Sequence, residues 1–294
     1  MTAEIAVISG KGGTGKTTFS AAFAALANGI VIADCDVDAP DMHILLQPHT
    51  KQTMEFKSSK VASINQELCT QCGVCHDNCR FDAANPPEIN AIACEGCGVC
   101  AYLCPEEAIS MDNRVSGMLY YSETRFGPMS HAKLLPGEGN SGKLVTDVRR
   151  QAQEMAKERN LDRILIDGSP GIGCPVIATV TGISIGIIVT EPTMSGIHDM
   201  ERVAGLLDKF GVSGAVIINK YDLNVENTQQ IEEYCQENGL YLLGRVAFDS
   251  IMTESMVAAK TLPEFAPSHE ITGFVRKMWS AIEEILLQEK KEKV

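Results

Sequence analysis

Basic residues are scarce in this chain: Lys and Arg total 25 against 38 Asp and Glu, a formal net charge of −13. The long-range field therefore repels nucleic acid and anionic membranes, and neither is an expected partner. Long hydrophobic runs are also lacking, and none approaches the ~18 residues of a membrane span. The opening Met1-Thr2-Ala3-Glu4 has neither a basic n-region nor an apolar h-region, so export is not expected and the location read from the sequence is cytoplasmic. What is abundant excludes disorder: 294 residues, 45% of them hydrophobic, can bury a core of one large domain or of one ordinary domain plus a small module. Cysteine is abundant too. Eight of the 11 fall between Cys69 and Cys104, and clustered thiols in a reducing compartment more often hold metal or do redox work than form disulfides.

Unalternating apolar runs recur at Ile5–Ile8, Ile30–Ala33, Arg163–Ile166, Gly186–Val189 and Ala215–Ile218. Such runs read as strands buried on both faces. Helical stretches at Thr17–Asn28, Gly142–Arg159, Ile197–Phe210 and Thr228–Asn238 separate most of them, which predicts a doubly wound, mostly parallel α/β sheet. Between residues 57 and 113 the alternation breaks. Here the spacing Cys69, Cys72, Cys75, Cys79 repeats at an offset of 25 residues as Cys94, Cys97, Cys100, Cys104. The expected organisation is a discontinuous domain, 1–56 and 114–294, interrupted by an inserted module at 57–113 made of two related halves.

Gly10 to Thr17 satisfies GxxxxGK(S/T) directly after the first predicted strand and at the start of the first helix, the context of a phosphate-binding loop. Gly10, Gly12, Gly13 and Gly15 let successive N–H groups, with those of Thr14 and Thr18, converge on phosphates. Lys16 is expected to reach the β- and γ-phosphates, and the Thr17 hydroxyl to ligate Mg²⁺. Asp167, ending the strand Arg163–Ile166, has the Walker B position for the same ion. A second GxxxxGK string, Gly137 to Lys143, has no strand before it and Leu144 in place of the metal-binding hydroxyl, so it reads as a mobile loop.

With Lys11 included, the loop resembles the deviant Walker A of the MinD, Mrp, ParA and nitrogenase iron-protein superfamily, and the likeness extends from Glu4 to about Lys277. The resemblance implies an ATP/ADP and Mg²⁺ site in an ATP-dependent homodimer in which Lys11 reaches the partner's phosphates. It assigns Asp36 to orienting the attacking water, Asp34 and Asp38 to the metal shell or γ-phosphate sensing, and Ser169-Pro170-Gly171 to the second switch. Asn219, with Lys220 beside it, falls where the family contacts the adenine edge; Asp222 would extend this to a guanine-reading NKxD, against which the deviant loop favours ATP. Glu191-Pro192-Thr193 follows the preceding strand and receives no role.

The paired CxxCxxCxxxC runs, the second followed by Pro105, resemble a bacterial two-cluster 4Fe-4S ferredoxin. By that resemblance Cys69, Cys72, Cys75 and Cys104 hold one cluster, and Cys94, Cys97, Cys100 and Cys79 the other. Arg80 departs from the pattern by replacing the proline after the first run, and the linker between runs is short. Zinc is the competing metal, although its knuckles usually lie farther apart. His76 reads as solvent-facing, and Cys174 as a structural thiol. Phe274, Val275, Met278, Trp279, Ile282, Ile285 and Leu286 recur at helical spacing, and the mixed-charge tail from Gln288 to Val294 favours packing on the domain over a membrane anchor.

The expected fold class is therefore α/β, a P-loop NTPase sheet with an inserted α+β, ferredoxin-like domain. The expected function is an Mg-dependent ATPase coupling a dimer switch to electron transfer, with Mrp-like cluster or metal-cofactor assembly as the alternative. The sequence leaves the redox partner or client protein unnamed.

Overall fold

The computed structural model describes residues 2–139 and 141–292. Asn140 of the second GxxxxGK string, and Lys293 and Val294 of the tail, lie outside the described residues. Two compact units are present: Met1–Thr53 with Leu119–Lys133 and Ser141–Val294, and Met54–Met118 with Leu134–Asn140. The second takes in the whole of 57–113.

The chain begins with β1 (Ala3–Ser9), buried along its length, then α1 (Lys16–Leu26), β2 (Val31–Asp34) and α2 (Met42–Leu46). The long β3 (His49–Ile64) leads to α3 (Val74–Asp77), β4 (Ala84–Asn85), β5 (Glu88–Ile89) and α4 (Val99–Leu103). An equally long β6 (Ile109–Thr124), β7 (Gly127–Leu134) and α5 (Ser141–Glu158) follow. Strands and helices then alternate as β8 (Arg163–Pro170), α6 (Cys174–Val180), β9 (Ile185–Thr190), α7 (Met194–Lys209), β10 (Ser213–Asn219), α8 (Val225–Glu237) and β11 (Tyr241–Val246). The short α9 (Ser250–Val257) and α10 (Leu262–Phe265) precede the terminal α11 (Glu270–Glu292).

The main sheet has the order β11-β10-β9-β1-β8-β2-β7-β6-β3. From β11 to β7 every neighbour pairs in parallel, the doubly wound arrangement that the apolar runs predict. The chain leaves β1 for β2 on one side and returns from β8 to β9 on the other, so a crevice opens beyond their carboxyl ends, where open α/β sheets bind ligands. The other end of the sheet differs from the sequence expectation. Arg125 and Phe126 alone join β6 to β7, a connection that can only reverse the chain. The hydroxyl pairs Thr50–Ser122, Ser59–Ser116 and Ser63–Ser110 show β3 and β6 running antiparallel.

One core cluster joins α1 to the terminal helix. Phe19 and Phe23 are fully buried with Val275, Met278, Trp279 and Ile282, and the Phe23 and Trp279 rings lie 5.6 Å apart. The apolar stripe of α11 thus packs on its own unit. No helix among the described residues is long and apolar enough to cross a membrane.

Candidate functional site

The phosphate loop is shaped by Gly15, whose φ of 100° turns the chain from loop into α1 and which no L side chain adopts cheaply. A Cβ there would also stand 2.7 Å from the Asn219 amide nitrogen. That nitrogen donates to the Thr14 carbonyl at 2.8 Å, and Asn219 is 5% exposed. The structure therefore puts Asn219 under the phosphate loop, in a contact that sequence reasoning missed because it joins positions 205 residues apart.

Thr17 and Asp167 meet as the motif requires: the hydroxyl donates to one carboxylate oxygen at 2.8 Å, and Ser20 donates to the other at 2.7 Å. Lys16 is buried, with its ammonium 3.9 Å from Asp36. Asp34 is fully buried; one of its oxygens accepts from the Asp36 N–H and the other has no partner. Burial and the nearby Asp167 charge push the Asp34 carboxyl well above the usual range. Burial also raises Asp36 to about 6, with Lys16 pulling down and Asp167 pushing up. Mutual repulsion among Asp34, Asp36 and Asp167 and the desolvation of Asp34 together disfavour their charged forms. Asp38 is exposed at the rim.

Gly12, Gly13, Gly15, Lys16, Thr17, Thr18, Asp36, Asp38, Ser169 and Met256 line one open cleft with about 1080 Å³ of space free of protein atoms. The Ser169-Pro170-Gly171 turn is tied to the ends of β1 and β2, the Gly171 N–H donating to the Ser9 carbonyl and the Ser169 hydroxyl to the Cys35 carbonyl. Cys174, expected as a structural thiol, is instead exposed at the first position of α6. Lys11 and Lys220 both point to Glu191, at 3.6 and 2.5 Å.

In the second unit the 25-residue repeat is visible in the backbone. Gly73 and Gly98, at φ of 81° and 78°, each start a short helix. Asn65 and Asn90 accept through their carbonyls from Cys69 and Cys94, and Cys79 and Cys104 accept through sulfur from the N–H groups of Ala83 and Ala108. Burial raises the Cys79 thiol, but the backbone N–H groups of Phe81, Ala83 and Ala84 outweigh it and hold the thiol below its ordinary value. Cys75 and Cys100 are raised by burial.

Two cavities result. Cys69, Cys72, Cys75 and Cys104 line one with Ile64, Val74 and Ile109, about 330 Å³ free of protein atoms and in part open to solvent. Cys79, Cys94, Cys97 and Cys100 line the other with Phe81, Val99 and Met111, about 360 Å³ free of protein atoms and likewise in part open to solvent. Each cavity gathers three cysteines from one run and the fourth from the other. His76 is exposed and lines neither, its ring nitrogen 2.8 Å from the Ala84 carbonyl. Among the described residues no three His, Cys, Asp or Glu side chains stand close enough to hold a single metal ion.

Residues 5–262 match the family described as the CobQ/CobB/MinD/ParA nucleotide binding domain. Uncharacterized protein MJ0578 of Methanocaldococcus jannaschii is 38% identical over 224 residues, 75% of this chain and 79% of that protein. The septum site-determining protein MinD of Bacillus subtilis is 23% identical over 257 residues, 83% of this chain and 76% of its own. Among solved structures, the septum site-determining protein MinD complexed with Mg-ADP from Pyrococcus horikoshii has a TM-score of 0.60 at 18% identity, covering 97% of both chains.

Proposed function

Because the chain belongs to the CobQ/CobB/MinD/ParA nucleotide-binding family and has a MinD-like fold, we propose that it is an ATP-hydrolysing iron–sulfur protein whose nucleotide-dependent dimer switch governs electron transfer through two 4Fe-4S clusters. The observation that carries the redox half is the gathering of eight cysteines, four to a cavity, with one member of each set crossing from the other run. A single zinc draws its sulfurs to about 2.3 Å of one point. The cavities instead spread four thiols around an apolar space, which suits a cubane. When bound, the clusters would supply one-electron transfer.

The family membership and the cleft support the nucleotide half. Thr17 and Asp167 would hold Mg²⁺, with Asp34 supporting the shell through its unpartnered oxygen. Lys16 would reach the phosphates, and Asp36, 3.9 Å from its ammonium, would orient water. Lys11 would serve the partner's nucleotide in the dimer.

A second reading, cluster delivery to a client protein, is favoured by the exposure of Cys72 and Cys97. Anaerobic purification tests the first step: two cubanes require about eight irons and eight sulfides per chain, and two zincs would overturn the redox reading. Redox titration with and without ATP then tests coupling, where an ATPase rate identical in oxidised and reduced protein counts against it. ATP-triggered transfer of iron to an apo-protein would select delivery instead.

A further inference from the structure

The two halves of the repeat have the same backbone plan but different surfaces. A shift of 25 residues pairs Ile92 with Glu67, Tyr102 with Asp77, Leu103 with Asn78, and Phe81 with Glu106, and every one of these residues is exposed. The polar member of each pair shows that the fold itself needs nothing apolar there. The other member is nonetheless aliphatic or aromatic, and Ile92 and Tyr102 are each 88% exposed. Apolar side chains gathered on a surface mark a contact site, and these are gathered. Val99, Tyr102 and Leu103 stand at i, i+3 and i+4 on α4 and so share one side of it. Val99 and Phe81 line the same cavity, that of Cys79, Cys94, Cys97 and Cys100, and Ile92 lies two residues before Cys94. The surround is acidic: residues 57–113 hold eight Asp and Glu against three Lys and Arg. Asp82, Glu95, Glu106 and Glu107, all exposed, flank the apolar positions in sequence, with Arg80 the nearest basic residue. Such a rim repels a second copy of this chain, at a net charge of −13, and an anionic membrane alike, and it attracts a surface of the opposite charge.

We propose that Phe81, Val99, Tyr102 and Leu103, with Ile92, dock a redox protein whose apolar contact centre is ringed by Lys and Arg, and that the cavity of Cys79, Cys94, Cys97 and Cys100 is therefore the module's exit. The inference rests on the reading that the two cavities hold clusters, and it deepens that reading by giving them different tasks. The cavity of Cys69, Cys72, Cys75 and Cys104 has Glu106 where the other has Phe81, and no apolar docking face surrounds it. An aromatic centre inside a charged rim is the ordinary anatomy of a protein contact: the centre supplies the affinity, and the rim supplies the encounter rate and the choice of partner. At the exit one electron passes between this chain and a one-electron cofactor of the partner. One site is oxidised as the other is reduced, and no bond or proton moves.

A c-type cytochrome with a lysine-ringed haem edge is the probe, and an acidic flavodoxin is its charge-reversed counterpart. Calorimetry on the anaerobically purified full chain should show the oxidised cytochrome binding at low ionic strength and fading as salt rises, with no binding of the flavodoxin. Tyr102→Ser and Ile92→Ser line neither cavity. Each should weaken cytochrome binding about tenfold, and slow cytochrome reduction by the dithionite-reduced protein to match, at unchanged iron content. Glu67→Gln and Asp77→Asn, the matching positions of the other half, should change binding less than about twofold. Three results would overturn the docking face and leave the clusters standing: no cytochrome binding, binding that Tyr102→Ser and Ile92→Ser leave unchanged, or equal weakening by Glu67→Gln and Asp77→Asn. Flavodoxin binding as tight as that of the cytochrome would overturn it too. A wild-type protein purified anaerobically without iron would refute the cluster reading itself, and the exit would fall with it.

Discussion

Which cysteines share a cavity can be decided by removing them in pairs. Cys104 closes the second run in sequence, yet it lines the cavity of Cys69, Cys72 and Cys75. Cys69→Ala with Cys104→Ala removes two thiols from that one cavity and leaves Cys79, Cys94, Cys97 and Cys100 complete. Cys94→Ala with Cys104→Ala removes one from each, so neither cavity retains four. Under the proposed clusters the first pair keeps one intact cubane and about four irons, while the second keeps no complete cubane and has less than four irons at either site. Iron and sulfide analysis of anaerobically purified protein measures the amounts. Low-temperature electron paramagnetic resonance of the reduced protein reports whether an intact cubane survives. If each run held its own cluster the two pairs would exchange results, and that exchange, or equal iron in both, would refute the crossed assignment.

Three further outcomes follow from packing and charge. Trp279→Ala, at a site 4% exposed against Phe23, should cost about 3–5 kcal/mol, read as a lower denaturation midpoint at constant slope. Asn219→Ala leaves the Thr14 carbonyl without its donor; an unpaired buried acceptor costs about 1–3 kcal/mol, and calorimetry should show ADP binding weakened without loss of the fold. Burial raises Glu264, but hydrogen bonds from Arg125 and Thr261 outweigh it and hold the carboxyl near 2, against 4.5 in an ordinary setting. A depressed carboxyl stabilises the fold above its unfolded value, so stability should fall as pH drops from about 4.5 towards 2. Arg125→Met should flatten that part of the profile and lower stability at neutral pH.

The phosphate loop and the Walker B strand were legible because each is a contiguous strand, turn and charged residue whose chemistry depends on local backbone. The five apolar runs were legible for a related reason, since a strand buried on both faces needs no partner to be recognised. β3 and β6 were not. His49–Ile64 is exposed or half-buried at nearly every position, so it carries neither the unbroken apolar run of a central strand nor the strict alternation of a one-sided one. The Lys11 contacts with Glu191 and Thr193, and that of Asn219 with Thr14, join residues about 180 to 205 positions apart, and no local pattern encodes such pairs. Cys174 was misjudged because an isolated cysteine in an apolar context usually points inward; its place at the first position of α6 leaves it exposed.

The exchange of one cysteine between the two runs has a consequence for assembly. Under the proposed clusters neither half of the repeat contains a full ligand set, so a chain emerging during synthesis could complete no cluster until Cys100 had been made, and the other only once Cys104 had followed. Whichever cluster entered first would fasten the two runs together and remove most of the chain entropy that the second must overcome. Loading should therefore be all-or-none, with half-filled molecules scarce at every level of iron supply.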